Sequence, residues 1–338
     1  MDSRMALVGS SVGRYRLVGN VEIPTPKPDM VLCRVAAVAL NPADAKIIDY
    51  SPAPGSIGGK DFAGEVVQVV YGFTFGLHPD DKTTGAFAEY ALATEDLTFK
   101  IPPNMKFEAA ATMPLSIGTA GLALYQELRL PWTVTGLEEQ RFVLVWGGAS
   151  STGAVAIQLL KESRFKPVAT CSLANKALLK SLGAIETFDY HSPACGLEIR
   201  EYTQNSLEYV LDYITTSETM AMCYEAIGSA GGKYVSLDPF STHVQYTRRD
   251  IYTNWIVAFT LFGGPVNFSG TYGRPAMKEH RQFATELYTI AESLVREGRL
   301  IPTQFEIKPG GLIALEAGIE DIRKGRTKKG KLVYPLSI

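Results

Sequence analysis

The chain has 338 residues, 46% of them hydrophobic and 20% charged, with a formal net charge of −2. That length predicts two packed domains rather than one, and the hydrophobic share is enough to fill both cores. The near-neutral balance lacks the basic excess of a nucleic-acid binder or of a protein drawn to anionic membranes, and no apolar run is long enough to read as a membrane span.

The first residues hold no cationic stretch followed by an apolar block, so no secretory signal is read. Cys33, Cys171, Cys195 and Cys223 are scattered, in neither a disulfide framework nor a metal-binding spacing. A reducing, cytoplasmic setting is expected. The dense basic stretch Arg323-Lys324-Gly325-Arg326-Thr327-Lys328-Lys329 reads as a solvated turn, with a contact to a phosphate-bearing ligand or an acidic partner as the alternative.

In chain order, Val31-Leu32-Cys33-Arg34-Val35-Ala36-Ala37-Val38 predicts a buried strand, broken by Asn41-Pro42. Residues 61–70 predict a second strand and residues 85–91 a third. This density of strands without long helices predicts a small barrel-like β domain. The texture changes near Phe107. Residues 108–113 predict a helix closed by Pro114, and residues 119–128 a second helix.

After Arg141 strands and helices alternate. Strands are predicted at 142–146, 166–171, 186–190, 207–212 and 232–237, with helices at 153–162, 176–182 and 220–227. Continuous apolar strands alternating with helices mean a parallel sheet covered on both faces. The tail departs from this pattern. A long helix at 280–297 stops at Gly298. A helix at 314–324 and a strand at 331–334 follow, and the tail is expected to fold back on the first domain.

Val145-Trp146-Gly147-Gly148-Ala149-Ser150-Ser151-Thr152-Gly153-Ala154 follows the most apolar strand and opens a helix. Glycines there let backbone N–H groups approach a pyrophosphate at the positive end of the helix, and Ser150, Ser151 and Thr152 add hydroxyl donors. The spacing departs from G-x-G-x-x-G, so a tight strand-to-helix turn without a ligand stays open. The next strand ends Thr170-Cys171-Ser172-Leu173-Ala174-Asn175-Lys176, without the acidic residue that holds the ribose 2′-hydroxyl in NAD binders. Ser172, Asn175 and Lys176 offer donors to a 2′-phosphate instead, which favours NADPH. Tyr190 ends the following strand and is placed to stack on or bond the adenosine side.

Two chemistries find no residues. Asn41-Pro42-Ala43-Asp44-Ala45-Lys46 and Gly58-Gly59-Lys60-Asp61-Phe62-Ala63-Gly64 hold no cysteine or histidine for zinc. No G-x-S-x-G occurs, and His78, His191, His243 and His280 suggest no triad.

Asn41-Pro42-x-Asp44, Gly-x-Asp61-Phe62-Ala63-Gly64 and Gly85-Ala86-Phe87-Ala88-Glu89-Tyr90 before Ile101-Pro102 resemble the zinc-free branch of the medium-chain dehydrogenase/reductases. Ser116-Ile117-Gly118-Thr119-Ala120-Gly121-Leu122-Ala123, Phe188-Asp189-Tyr190, residues 226–237 and Tyr272-Gly273-Arg274-Pro275 resemble more narrowly the fungal trans-acting enoyl reductases of polyketide biosynthesis. The resemblance covers nearly the whole chain. It implies an α/β fold: a GroES-like β-barrel catalytic domain at 1–115, a Rossmann doubly wound parallel sheet at 116–262, and a return to the catalytic domain at 263–338.

It also implies an activity. Hydride from NADPH would reduce the α,β-double bond of a thioester on the phosphopantetheine of a carrier protein. The partner would be a polyketide synthase or a hybrid with peptide synthetase modules (PKS-NRPS), and the chain itself a monomer. Ala43, Asp44, Ala45 and Lys46 would lie near the nicotinamide. Ala149, Ser150, Ser151, Thr152, Ser172, Leu173, Ala174, Asn175, Tyr190, Leu237 and Asp238 would line the cofactor, and Leu332 and Val333 would close it. Ala120, Gly121, Leu122, Ala123, Leu124, Tyr125, Gln126 and Glu127, with Ala258, Phe259, Thr260, Leu261 and Phe262, would form the acyl pocket.

Lys46 and Thr119 are the expected polar groups near the reacting centre. The plainer readings are a cofactor-positioning or surface lysine and a helix cap or packing threonine. Against the family pattern, Val66-Val67-Gln68-Val69 runs directly into Val70-Tyr71-Gly72-Phe73. About a dozen residues are missing there, which a tight loop closes at modest cost but which predicts a lost hairpin and exposed strand edges. Two other functions stay open: a free-standing quinone or alkenal reductase, and an NADPH-binding scaffold without chemistry.

Overall fold

The computed structural model describes residues 3–66, 69–132, 141–327 and 330–336. The chain divides into two units, Met1–Gly118 with Phe259–Ile338, and Thr119–Ala258.

In the first unit, β1 (Ser3–Ser11) and β2 (Arg14–Glu22) pair antiparallel. The main sheet is built on β3 (Met30–Ala39), whose residues 35–39 are buried because both faces are covered. It pairs with β4 (Asp61–Glu65) and with β6 (Tyr90–Thr94); β5 (Val69–Phe73) follows on β4, and β7 (Thr98–Lys100) on β5. Between β3 and β4 runs α1 (Pro42–Tyr50). The strand break expected at Asn41-Pro42 is the start of this helix: Asn41 is the N-cap, and proline costs nothing at a position whose N–H has no intrahelical partner.

The single strand expected over 61–70 is instead a hairpin. Asp61 pairs with Phe73 and Glu65 with Val69, and Val67 and Gln68 lie outside the described residues. The far side of β5 is not an open edge among the described residues, because β7 pairs with it through Val70↔Lys100 and Gly72↔Thr98. The strand expected at 85–91 begins only at Tyr90. Ahead of it, Ala88 makes an isolated antiparallel bridge to Ala6 of β1, while the Phe87 N–H is spent on the Gly58 carbonyl and that of Ala86 on Gly59, so this stretch ties β1 to a loop without forming a continuous strand.

Pro114 opens α3 (Pro114–Gly121), where a helix end was expected, after the short α2 (Phe107–Ala110). A π-helical stretch, Leu122–Glu127, continues α3. Residues that widen a helix this way commonly do so at functional sites.

In the second unit, the strands are β8 (Phe142–Trp146), β9 (Lys166–Cys171), β10 (Glu186–Asp189), β11 (Tyr209–Asp212), β12 (Gly232–Ser236) and β13 (Ile251–Trp255). They form one parallel sheet in the order β10-β9-β8-β11-β12-β13. Helices α4 (Ser151–Glu162), α5 (Lys176–Leu182), α6 (Cys195–Tyr202), α7 (Ser217–Ala226) and the short α8 (Thr242–Gln245) connect them. The strand order reverses between β8 and β11, the position where open α/β sheets bind ligands outside the carboxyl ends.

The tail belongs to the first unit. In α9 (Lys278–Arg296), Tyr288 stacks on Phe99 at 4.8 Å, and Phe99 on Tyr71 at 4.6 Å. β14 (Phe305–Ile307) pairs with β15 (Lys331–Pro335), which pairs antiparallel with β3. Between them runs α10 (Gly311–Arg323).

Candidate active site

The turn after β8 is shaped by what a side chain would strike. Gly147 has φ +80°, a backbone region that favours glycine. A Cβ on Gly153 would stand 2.4 Å from the Gly147 carbonyl oxygen, so only glycine lets α4 start this close to the strand. Thr170 of β9 fixes the turn from the side. Its Oγ1 accepts from the Gly147 N–H at 3.0 Å, and its carbonyl from the Gly148 N–H at 3.0 Å. Ser150 caps α4, accepting from the Gly153 N–H at 3.0 Å. That leaves the Ser151 and Thr152 N–H groups without an intrahelical acceptor at the positive end of a 12-residue helix, the kind of position that suits an anion.

Asp212, at the carboxyl end of β11, builds the facing wall. It is fully buried and accepts from the N–H groups of Ile214 (2.9 Å) and Thr215 (3.0 Å), from Thr219 Oγ1 (2.7 Å) and from the Tyr234 hydroxyl (2.9 Å). Burial raises its carboxyl above the ordinary range, and these donors pull it only partly back. The Ile214 side chain borders Gly147 directly.

Because the sheet is parallel, every strand's carboxyl end falls on one edge. Ala149, Ser150, Ser151 and Thr152 follow β8 there. Ser172, Leu173, Ala174 and Asn175 follow β9, Tyr190 follows β10, and Leu237 and Asp238 follow β12. Asn175 Nδ2 lies 3.4 Å from Ser172 Oγ, and Lys176 lies 3.8 Å from Glu186. Leu173 is exposed, and the partly exposed Tyr190 ring packs on His191 at 4.1 Å.

In the first unit, Ala43, Asp44, Ala45 and Lys46 form the start of α1, with Lys46 on its exposed face. Leu332 and Val333 lie beside its entry: the Leu332 carbonyl accepts from the Leu40 N–H at 2.9 Å, and Val333 stands opposite Ala39. Thr119 is buried within α3 and therefore is not a cap.

Residues 120–127 run through the end of α3 and the π-helical stretch. Leu122, Ala123, Leu124 and Tyr125 are buried, and the Tyr125 hydroxyl lies 2.7 Å from Ser163 Oγ. Glu127 accepts from the Tyr252 hydroxyl and from Asn254, each at 2.8 Å. Ala258–Phe262 is a 3-10 turn. Its Phe259 and Phe262 rings pack on Phe73 and Phe75 at 4.4–5.7 Å.

The feature missed in the sequence is a buried ionic network around Asn41. Lys60 and Asp44, both without solvent exposure, pair at 2.7 Å, and Lys331 and Asp61 pair at 2.6 Å. Asn41 joins the two pairs: its N–H donates to Asp44 Oδ2 (2.7 Å) and its side-chain amide to Asp61 Oδ2 (3.0 Å). Burial raises the Asp44 carboxyl while the Lys60 ammonium and the Asn41 N–H oppose the shift. The signal was legible: Lys60 and Asp61 are adjacent charges inside the apolar run Gly59-Lys60-Asp61-Phe62-Ala63, which only pairing makes tolerable. Among the described residues, no group of three or more His, Cys, Asp or Glu is placed to hold a metal ion.

The family model for the alcohol dehydrogenase GroES-like domain matches residues 27–103. Among solved structures, the CurK enoyl reductase superposes with a TM-score of 0.77 at 17% identity, over 99% of this chain and 100% of that one. The quinone oxidoreductase of Coxiella burnetii superposes with a TM-score of 0.73 at 22% identity, over the same shares of both chains. A GroES-like unit joined to a parallel sheet of this order is the fold of the medium-chain dehydrogenase/reductases.

The sequence relatives are more specific. A trans-enoyl reductase of Gibberella fujikuroi is 50% identical over 98% of this chain and 99% of its own length. The trans-enoyl reductase grgB of a Penicillium species is 47% identical over 98% and 97%. The chain belongs to the trans-enoyl reductase family and is an oxidoreductase.

Proposed function

We propose that this enzyme reduces the α,β-double bond of an acyl thioester presented on the phosphopantetheine of a carrier protein, with NADPH as the reductant and a separate polyketide synthase or PKS-NRPS as the partner, in the cytoplasm. The observation that carries this reading is the capped glycine turn at the reversal point of the parallel sheet, in a chain half identical to named trans-enoyl reductases. A bound NADPH would supply the hydride.

The chain's own residues do the holding. The Gly147–Gly153 backbone and the first turn of α4 receive the pyrophosphate, since the glycine at 153 lets the helix start against the Gly147 and Gly148 backbone. Ser172, Asn175 and Lys176 receive the 2′-phosphate on an edge where β9 ends without an acid. Tyr190 packs the adenosine side. Ala43, Asp44, Ala45 and Lys46 hold the nicotinamide end, and Leu332 and Val333 support them through β15. Residues 120–127 and 258–262 shape the acyl pocket. Lys46 and Thr119 orient the thioester, whose oxygen gathers charge as hydride adds to the β-carbon, and a proton from water at the α-carbon completes the saturated chain.

The test is NADPH consumption with a crotonyl-pantetheine thioester, run beside a quinone and beside NADH. Turnover of the thioester with NADPH is expected. Turnover of the quinone alone would replace this reading with a diffusible-substrate reductase. Cofactor binding without turnover of either substrate would leave a scaffold.

A further inference from the structure

The buried network around Asn41 is a costly way to fill a core. Lys60, Asp44 and Asp61 have no solvent exposure and Lys331 almost none. Two ion pairs at that depth lose hydration that their mutual attraction does not fully return, so apolar side chains of the same volume would hold the fold as well. Other pairs in the chain, such as Arg34–Glu65 and Arg323–Asp49, stand at the surface.

What charge adds is direction. Each carboxylate oxygen is assigned to a particular element. Asp44 Oδ2 accepts from the Asn41 N–H ahead of α1, and its Oδ1 stands in an ion pair, without hydrogen-bond geometry, with Lys60, which directly precedes β4. Asp61 gives Oδ1 to the Leu115 N–H at 2.7 Å. That N–H lies in the first turn of α3, where no intrahelical acceptor exists. Asp61 Oδ2 takes the Asn41 amide and Lys331 of β15. Five residues thus fasten the starts of α1 and α3 to β4 and β15. The expected nicotinamide-end residues 43–46 and 332–333 sit on α1 and β15, and Thr119 sits on α3.

We propose that Lys60 and Lys331 are positioning residues for enoyl reduction: they lock Asp44 and Asp61 in the orientation that aims the starts of α1 and α3, and through them Lys46 and Thr119. The inference rests on the proposed activity. A group held loosely by about an ångström loses the near-attack geometry while still binding its ligand, so the chemical step suffers before affinity does.

The test is the double variant Lys331→Met with Asp61→Asn, which removes both charges of that pair together and leaves no buried charge unpaired. Steady-state kinetics with NADPH and crotonyl-pantetheine are expected to show kcat lower by roughly tenfold to a hundredfold. The KM for NADPH and the melting temperature stay near those of the wild type. Lys331→Arg serves as a second variant that keeps the ion pair but shifts its geometry, and it shows the same split. A wild-type kcat in a folded variant would overturn the inference. So would a rise in KM for NADPH with kcat unchanged, which marks an ordinary binding contact. A wild type without turnover would overturn the proposed function, and this inference with it.

Discussion

Gly153 carries the least tolerance in the turn, since its neighbour in space is backbone and cannot step aside. A Cβ there would press within 2.4 Å of the Gly147 carbonyl oxygen and 2.9 Å of the Gly148 Cα. Gly153→Ala is expected to cost about 1–3 kcal/mol of stability, read by urea unfolding, and to weaken NADPH binding measured by fluorescence titration. At the end of β9, Ser172→Asp puts a carboxylate where the reading places a 2′-phosphate. NADPH affinity should fall by about tenfold or more while NADH affinity holds or improves. An equal loss for both cofactors in calorimetric titration would contradict that placement.

At the scale of elements, α9 is fastened to the turn before β7 by Asp96, which accepts from Arg281 and, at 2.8 Å, from Thr285 Oγ1. Burial alone would raise the Asp96 carboxyl, but the Arg281 and Thr285 hydrogen bonds outweigh it and hold it below the ordinary range. The folded chain therefore takes up this proton at lower pH than the unfolded chain. The link stabilises above the unfolded pKa and is lost as pH falls through the folded one. Asp96→Asn should cost stability near neutral pH. The gap to the wild type should close below about pH 4, as read by urea unfolding across that range.

Central elements of the parallel sheet were legible because β8 and β11 are apolar runs between helices. The edge strand β13, Ile251-Tyr252-Thr253-Asn254-Trp255, was missed because polar residues interrupt it. The helix expected at 176–182 coincides with α5, and the strand expected at 142–146 with β8. The first unit was harder. β1 and β2 mix arginines and glycines with their apolar residues, so no period-2 pattern stands out. The 61–70 stretch is apolar on both sides of its turn, which hid the hairpin. α6 was missed because Cys195-Gly196-Leu197 opens it with a glycine in the first turn.

For the whole molecule, the glycine turn could be read in advance because helix-start chemistry is local: Gly147 to Gly153 are consecutive residues. For the ionic network the adjacent charges Lys60 and Asp61 were legible but their partners were not, because Asn41, Lys60 and Lys331 are brought together only by the pairing of β3 with β4 and β15. The basic stretch from Arg323 is partly neutralised in place: Arg323 pairs with Asp49, Lys324 with Glu320 and Arg326 with Asp321. Lys328 and Lys329 lie outside the described residues.

The central claim is hydride transfer from NADPH to the β-carbon of a carrier-bound enoyl thioester. Its most direct test uses NADPH deuterated at the transferable position, an enoyl chain loaded on a carrier protein, and mass spectrometry with NMR on the released product. The account predicts a saturated acyl chain with one deuterium at the β-carbon. A saturated product with no deuterium there, or an unreduced acyl chain despite bound cofactor, would contradict it.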